Sequence, residues 1–344
     1  MEIYLILLLE ILILAKWLPD RQYGAAMTLS QTLICGFRHP HLTGDLMKYH
    51  WFFLYGSTLK KNFGFDLWMQ GIAGILDGNY QMFLFLTAAL SQVAVGFTLI
   101  RQCRKPWLGF LSYHCLGFYI FGFSAIKQAL AMGLVLLAYD ALESGSSRKC
   151  VVWTLLAGCI HRPALVMVIA WFLTRFRFDR GAMGFYLLLG AAVWCFRQPL
   201  TALAARLYGV EETLVPLDSA PGGRFFLMLL LLIGGVLLRG TADGKFARLC
   251  HLMALGTVIQ LLAVYGNLFS RLADYCLQFG ILFLPGMLDR PEGAALPFDE
   301  NSRRWLEGIL AAGLILFYWV AYLNVPILYE TDNYLRYRFF WQRR

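Results

Sequence analysis

Four cations border or interrupt apolar runs: Arg38 in GFRHPHLTGD, Lys127 in GFSAIKQALAMG, Arg224 in APGGRFFLML and Arg271 in NLFSRLADYC. A guanidinium keeps its charge at any biological pH, and its planar fork matches the oxygens of a phosphate. Cations at one level on several spans, without comparable acid to balance them, would make a site for an anion. Each also has a plainer role as a helix-end anchor whose long side chain snorkels to the interface. Lys127, followed by the polar Gln128, suits either use, and Arg271 has Asp274 three residues on as a local ion-pair partner.

Proton chemistry has two sources. Asp45 follows Gly44 at a turn, where it is placed to cap a helix, and Tyr49 four residues later shares its face. The same spacing recurs in Arg271 and Tyr275. Trp51, Phe52, Phe53 and Tyr55 would embed the Asp45 helix at a membrane interface, with Asp45 as a cap or as a base for a hydroxyl. The second source is His161, in LLAGCIHRPALVMVIAWFL. Pro163 breaks a helix there, so the imidazole either donates to a freed carbonyl or carries a proton near neutral pH. The eight cysteines are scattered, with no C-x-x-C pair and no histidine at ligand spacing, so neither a metal nor another cofactor is expected.

These residues need a membrane scaffold to position them. Of 344 residues, 59% are hydrophobic and 15% charged, and the mean hydropathy is +0.59. Soluble domains carry about a quarter charged residues. The chain therefore reads as an all-α polytopic integral membrane protein, one transmembrane domain over residues 1–344. Apolar runs predict spans near 2–18, 22–37, 79–100, 106–121, 124–142, 150–174, 181–197, 223–238, 247–265, 270–288 and 304–323, about ten once re-entrant and interfacial segments are set aside. The first lacks the basic start and small-residue cleavage site of a signal peptide and reads as a retained span. The net charge of +9 is spread over short loops, which argues against nucleic acid as a partner.

Loop charge sets the orientation. Arg101, Arg104, Lys105, Arg148 and Lys149 read as cytoplasmic, which puts the 38–65 loop and its interfacial helix outside. Arg38, Lys127, Arg224 and Arg271 then fall at outer ends of spans. A re-entrant hairpin bent at His161-Arg162-Pro163 keeps Arg175, Arg177 and Arg180 inside, but leaves the aromatic, basic tail 324–344 outside against the charge rule.

In order along the chain, Arg38 with Gly44, Asp45 and Tyr49, then Lys127-Gln128-Ala129, His161 with Ala164 and Leu165, and Arg271 with Tyr275 resemble the EpsG branch of the Wzy-type polysaccharide polymerases. The motifs are short; their order gives them weight. Thr43-Gly44-Asp45 stands where Gly-Thr-Asp is expected, Lys127 where Arg is, and Pro163 where a small Ser is. The resemblance implies a GT-C-like glycosyltransferase in the bacterial cytoplasmic membrane, multi-pass and metal-independent. It would join polyprenyl-diphosphate-linked oligosaccharide repeats into exopolysaccharide, capsule or O-antigen at the outer face. On that reading Arg38, Lys127, Arg224 and Arg271 bind diphosphate and Asp45 or His161 is the base. Tyr49, Gln128 and Tyr275 contact sugar or acceptor, and Tyr334, Tyr337 and Trp341 offer further aromatic faces. Membrane lipid, a chain-length regulator and other assembly proteins would be its partners. A flippase of lipid-linked sugar, an acyltransferase using His161 and a glycan ligase are the alternatives.

Overall fold

The computed structural model describes residues 2–56, 63–208, 221–240, 244–289, 299–323 and 337–342. Their regular structure is helical. In chain order the helices are α1 (Glu2–Trp17), α2 (Asp20–Gly36), α3 (Gly44–Tyr55), α4 (Phe63–Ile75), α5 (Tyr80–Gln102), α6 (Pro106–Cys115), α7 (Phe118–Phe121), α8 (Ile126–Glu143) and α9 (Ser147–Ile160). There follow α10 (Val166–Leu173), α11 (Arg180–Cys195), α12 (Arg197–Tyr208), α13 (Gly223–Arg239), α14 (Gly244–Gln260), α15 (Asn267–Leu277), α16 (Gly280–Met287) and α17 (Glu300–Tyr318). They divide into two compact units, Met1–Leu165 with Asp299–Arg344, and Val166–Phe298.

In the first unit α2 and α5 run antiparallel, and glycines let them approach. A Cβ on Gly24 would meet Ile100, one on Gly96 would meet Thr28, and one on Gly36 would meet Phe85. Helix α8 lies beside α5 in the same direction, with Gly133 against Ala94 and Arg101 bonded to Asp140. A tight turn at Gly145, with φ of 76°, reverses the chain into α9. In the second unit α14 is the central helix, buried over most of its length. It ends in a 3-10 turn, Leu261–Tyr265, closed by Gly266 at φ 136°, a backbone conformation open only to glycine.

Helix forms at every segment predicted to span, but several segments are interrupted. The 106–121 run is two helices because Gly117 turns at φ 84°, with the Tyr322 ring packed where a Cβ would stand. The 150–174 run breaks at His161, which is extended at φ −147°, before a 3-10 turn over Arg162–Leu165. Leu165, at the end of that turn, packs against Gly158 of α9. Helix α11 runs into α12 through a bend of 77°, where sequence reading ended the helix; Pro199 sits in the first turn of α12, the position that tolerates it. The 38–65 stretch, read as a loop with one helix, reaches α4 as well.

Among the described residues three helices are long and apolar enough to cross a bilayer, Tyr80–Gln102, Gly244–Tyr265 and Glu300–Leu323, and the bent pair, taken as one span, would be a fourth. Many of the others are 16 or 17 residues, about 24–26 Å at helical rise against a hydrocarbon core of about 30 Å. The chain is a membrane protein of helices.

Packing at the α2–α5 seam gives a direct stability test. Gly96→Leu should destabilise the protein by about 1–3 kcal/mol, read as a lower unfolding temperature in detergent. Gly74→Ala, on α4 with nothing within 4 Å of its added Cβ, should leave that temperature unchanged or raise it.

Candidate functional site

Arg38 is a fully buried arginine of the first unit. It follows the end of α2 and is 1% exposed. Its Nη1 donates to the Cys35 carbonyl and lies 3.2 Å from Cys35 Sγ. The guanidinium stands 5.8 Å from the centre of the Phe123 ring. Among the described residues its Nε has no acceptor, and no carboxylate forms an ion pair with it. A charge out of water without a counter-ion is costly by several kcal/mol. Such a group is held in place by its surroundings.

The surroundings are visible. Gln81 donates to the carbonyls of Gly36 and Arg38 at 2.7 and 3.2 Å. The tail folds back over the same backbone: His39 N–H donates to Arg338 O at 2.8 Å and Phe340 N–H to Phe37 O at 2.9 Å, an antiparallel bridge of Arg38 with Phe339. Tyr337 donates its hydroxyl to Ile34 O at 2.7 Å, and Trp341 stacks on Phe339 with ring centres 4.4 Å apart. The described tail thus belongs to the Arg38 end of the unit, on whichever side of the membrane Arg38 lies. Tyr334 lies outside the described residues.

The turn between α7 and α8 connects Arg38 to the other candidates. Phe123 faces Arg38, Ser124 reaches Asp45 Oδ2 at 3.5 Å, and Lys127 Nζ stands 5.9 Å from the Tyr49 ring centre. Asp45 is not the N-cap of α3. Thr43 is, accepting from Leu46 N–H at 3.3 Å, which puts Asp45 in the first turn, 3.9 Å from exposed Lys48. Gln128, one residue past Lys127, turns into the packed interior at 2% exposure and touches Met132. His161 stands just after α9, two residues beyond Cys159, whose carbonyl lies against Gly64 of α4. Helical rise puts Lys127, thirteen residues before Asp140, and His161, thirteen beyond Arg148, each about 20 Å from the Arg101 end of the bundle. They share a level. Arg162 is exposed while Pro163 and Ala164 are buried.

Asp66 was missed from sequence. It sits in the first turn of α4 beside Phe65, whose ring meets Tyr49 at 5.6 Å. Burial raises its pKa, and the Lys127 charge partly offsets that. An acid opening an apolar helix was the available signal. A second omission is the contact of His41 Nε2 with His50 Nδ1 at 2.7 Å; burial lowers the His50 pKa, and its ring stacks on Tyr80. Both groups lie on α3, on α4 or in the loop before α3, outside the spans.

In the second unit the sequence expectation of unbalanced cations needs correction. Arg224, at the start of α13, donates from Nη2 to Asp274 Oδ1 at 2.5 Å and from Nη1 to Ser270 Oγ at 3.2 Å. Asp274 therefore serves Arg224 across helices, where a local pair with Arg271 was the reading from spacing, though the Arg271 charge acts on it too. Arg271 is exposed on α15, and Tyr275 is fully buried. Of the nine candidates, Arg38, Asp45, Tyr49, Lys127, Gln128 and His161 belong to the first unit and Arg224, Arg271 and Tyr275 to the second.

A sequence profile described as the EpsG family matches residues 23–339, which include all nine. No curated protein and no solved structure matches the chain.

Two predictions follow from these environments. Asp274→Asn removes the carboxylate from Arg224 and should cost roughly 1–3 kcal/mol of stability; the double change Arg224→Leu with Asp274→Leu should recover much of it in the same unfolding assay. For Asp66 the folded pKa lies above the ordinary 3.8, so the stability it contributes is full below that value and is lost as pH rises through the folded pKa. Asp66→Asn, which keeps the shape of the protonated acid, should flatten the fall in unfolding temperature as pH rises above the ordinary carboxylate range.

Proposed function

The chain belongs to the EpsG family, and from that premise we propose that it joins polyprenyl-diphosphate-linked oligosaccharide repeats into a polysaccharide. It works as a multi-pass enzyme of the bacterial cytoplasmic membrane, with about ten membrane segments in a GT-C-like arrangement and its site on the outer face. The observation that carries the reading is the buried Arg38 without a carboxylate partner among the described residues, facing Phe123 of a turn whose Ser124 reaches Asp45 and whose following helix carries Lys127.

The reaction breaks the bond between the anomeric carbon of the growing chain and its diphosphate oxygen. The electron pair leaves with polyprenyl diphosphate. A hydroxyl of the incoming repeat forms the new bond to that carbon, and its proton passes to a base. Only charge that develops in the transition state rewards differential binding. The donor diphosphate gains charge as it leaves, so it calls for a preorganised cation not already neutralised. Arg38 fills that role, and Lys127, which already acts on Asp66, adds a second positive charge at the same turn. The acceptor lipid carries a second diphosphate whose charge does not change. Arg224 with Arg271 suits this one, since Asp274 tempers Arg224 without harm to a spectator group.

Asp45 is the first choice of base because it is a partly open carboxylate joined to the same turn by Ser124. His161, at the level of Lys127, is second. Tyr49 offers a sugar face beside Lys127. Gln128 and Tyr275, buried and uncharged, would act on substrate only through neighbours they position, whereas the buried charge of Arg38 acts across the low-dielectric interior. A chain-length regulator and other assembly proteins are the expected partners.

A transporter of lipid-linked sugar is the second reading, favoured by the broken helix at His161 and the 77° bend between α11 and α12. The two separate in cells. A defective polymerase leaves single repeats exposed outside; a defective transporter strands them on the inner face.

Arg38→Gln should lower polymer yield by about a hundredfold or more, at unchanged protein level and membrane insertion. Arg38→Lys, which keeps charge but loses the fork, should retain part of the yield, and Arg271→Ala should also fail. Normal polymer from Arg38→Gln and Arg271→Ala would remove the site assignment.

A further inference from the structure

A second charged place lies at the other end of the first unit. Helices α5, α8 and α9 form a trough of about 940 Å³, with Val93 and Phe97 on one wall, Leu134 on the floor and Val152 on the other wall. Its mouth holds Arg101, Asp140, Ser144, Arg148 and Lys149. Tyr80 and Lys127, at the opposite ends of α5 and α8, both reach α3. The trough mouth is therefore remote from the Asp45 cluster.

The charges at the mouth do not cancel. Arg101 Nε donates to Asp140 Oδ1 at 2.9 Å, and the same oxygen accepts from Gln102 at 2.7 Å. That satisfies one cation. Arg148 and Lys149 are exposed, and neither enters an ion pair among the described residues. Both occupy the first turn of α9, which has no acid there and whose N-cap Ser146 makes no capping bond. The positive end of a helix dipole favours anions, so two cations at that point work against the helix. A bound anion reverses the sign of that arrangement.

Below the mouth the trough is apolar and lies on the outer surface of the unit. Leu90 to Arg101 on α5 spans about 16 Å, roughly half the hydrocarbon core and so the depth of one leaflet. A soluble anion would have no use for such a floor. We propose that this trough binds an anionic glycerophospholipid, its phosphodiester held by Arg148 and Lys149 and one acyl chain laid between α5 and α9. Loop basicity puts this end in the cytoplasmic leaflet. Basic clefts between helices on that side suit anionic head groups. The site is independent of the glycan chemistry.

Purified, delipidated full chain in detergent can be titrated with dioleoyl phosphatidylglycerol and with dioleoyl phosphatidylcholine, and bound lipid counted by native mass spectrometry. Phosphatidylglycerol should bind more tightly. Affinity should drop about fivefold for each of Arg148→Gln and Lys149→Gln, and Val152→Trp, which keeps both charges, should block the acyl trough and lower binding as well. Inorganic phosphate should not displace the lipid. Equal binding of the two lipids, an unchanged affinity in the Arg148→Gln, Lys149→Gln double variant, or binding untouched by Val152→Trp would overturn the proposal. Displacement by inorganic phosphate would assign the mouth to a free anion and overturn it too. Both cations are exposed, so folding of the variants is expected and can be checked by elution profile.

Discussion

A guanidinium sealed from water, with no acid beside it among the described residues, is the constraint around which the first unit is arranged. Arg38 cannot discharge itself by losing a proton, and its exposure is 1%. The chain answers by fixing the backbone around it from several directions. Gln81 from α5 holds the carbonyls on either side of Phe37, the tail bridges Phe37–His39, and Phe123 offers the face of its ring. A site built this way is rigid before any substrate arrives. That is what electrostatic stabilisation of a leaving diphosphate requires, since a group that must reorganise loses much of its effect.

The two halves treat cations differently. The first keeps Arg38 without a carboxylate among the described residues, whereas the second sets Arg224 against Asp274 and Ser270. A paired Arg suits a group whose charge stays constant. An unpaired one suits a group whose charge grows. The same contrast recurs at the opposite end of the first unit, where Asp140 neutralises Arg101 and leaves Arg148 and Lys149 exposed on a helix end that disfavours them.

Helix class, most segment positions and the break at His161 were legible in the sequence because they rest on local rules: apolar run length and Pro163 in a helix interior. What escaped was non-local. Asp66 is unremarkable in FGFDLW until Gly64 lets α4 seat against Cys159 and bring it under the Lys127 charge. The tail looked misplaced by its Arg residues, yet its described part is pinned by backbone hydrogen bonds that no side-chain tally records. Spacing paired Asp274 with Arg271, three residues away, while tertiary packing gave it to Arg224 from another helix. Thr43 outcompeted Asp45 as the cap of α3, which freed Asp45 for the turn at Ser124. Tyr275 and Gln128 were read as open to substrate because a helix face has no visible inside until its neighbours are known.

The central claim is that this protein makes glycosidic bonds between lipid-linked repeats with Arg38 at the departing diphosphate. The most direct measurement uses purified protein in liposomes with a synthetic polyprenyl-diphosphate-linked repeat as the sole sugar source. Chain length and released polyprenyl diphosphate are counted together. The account predicts a ladder of longer glycans, one diphosphate lipid freed for each bond formed, and neither product with Arg38→Gln. Repeats moved between leaflets without change in length, or a ladder undiminished in Arg38→Gln, would contradict it.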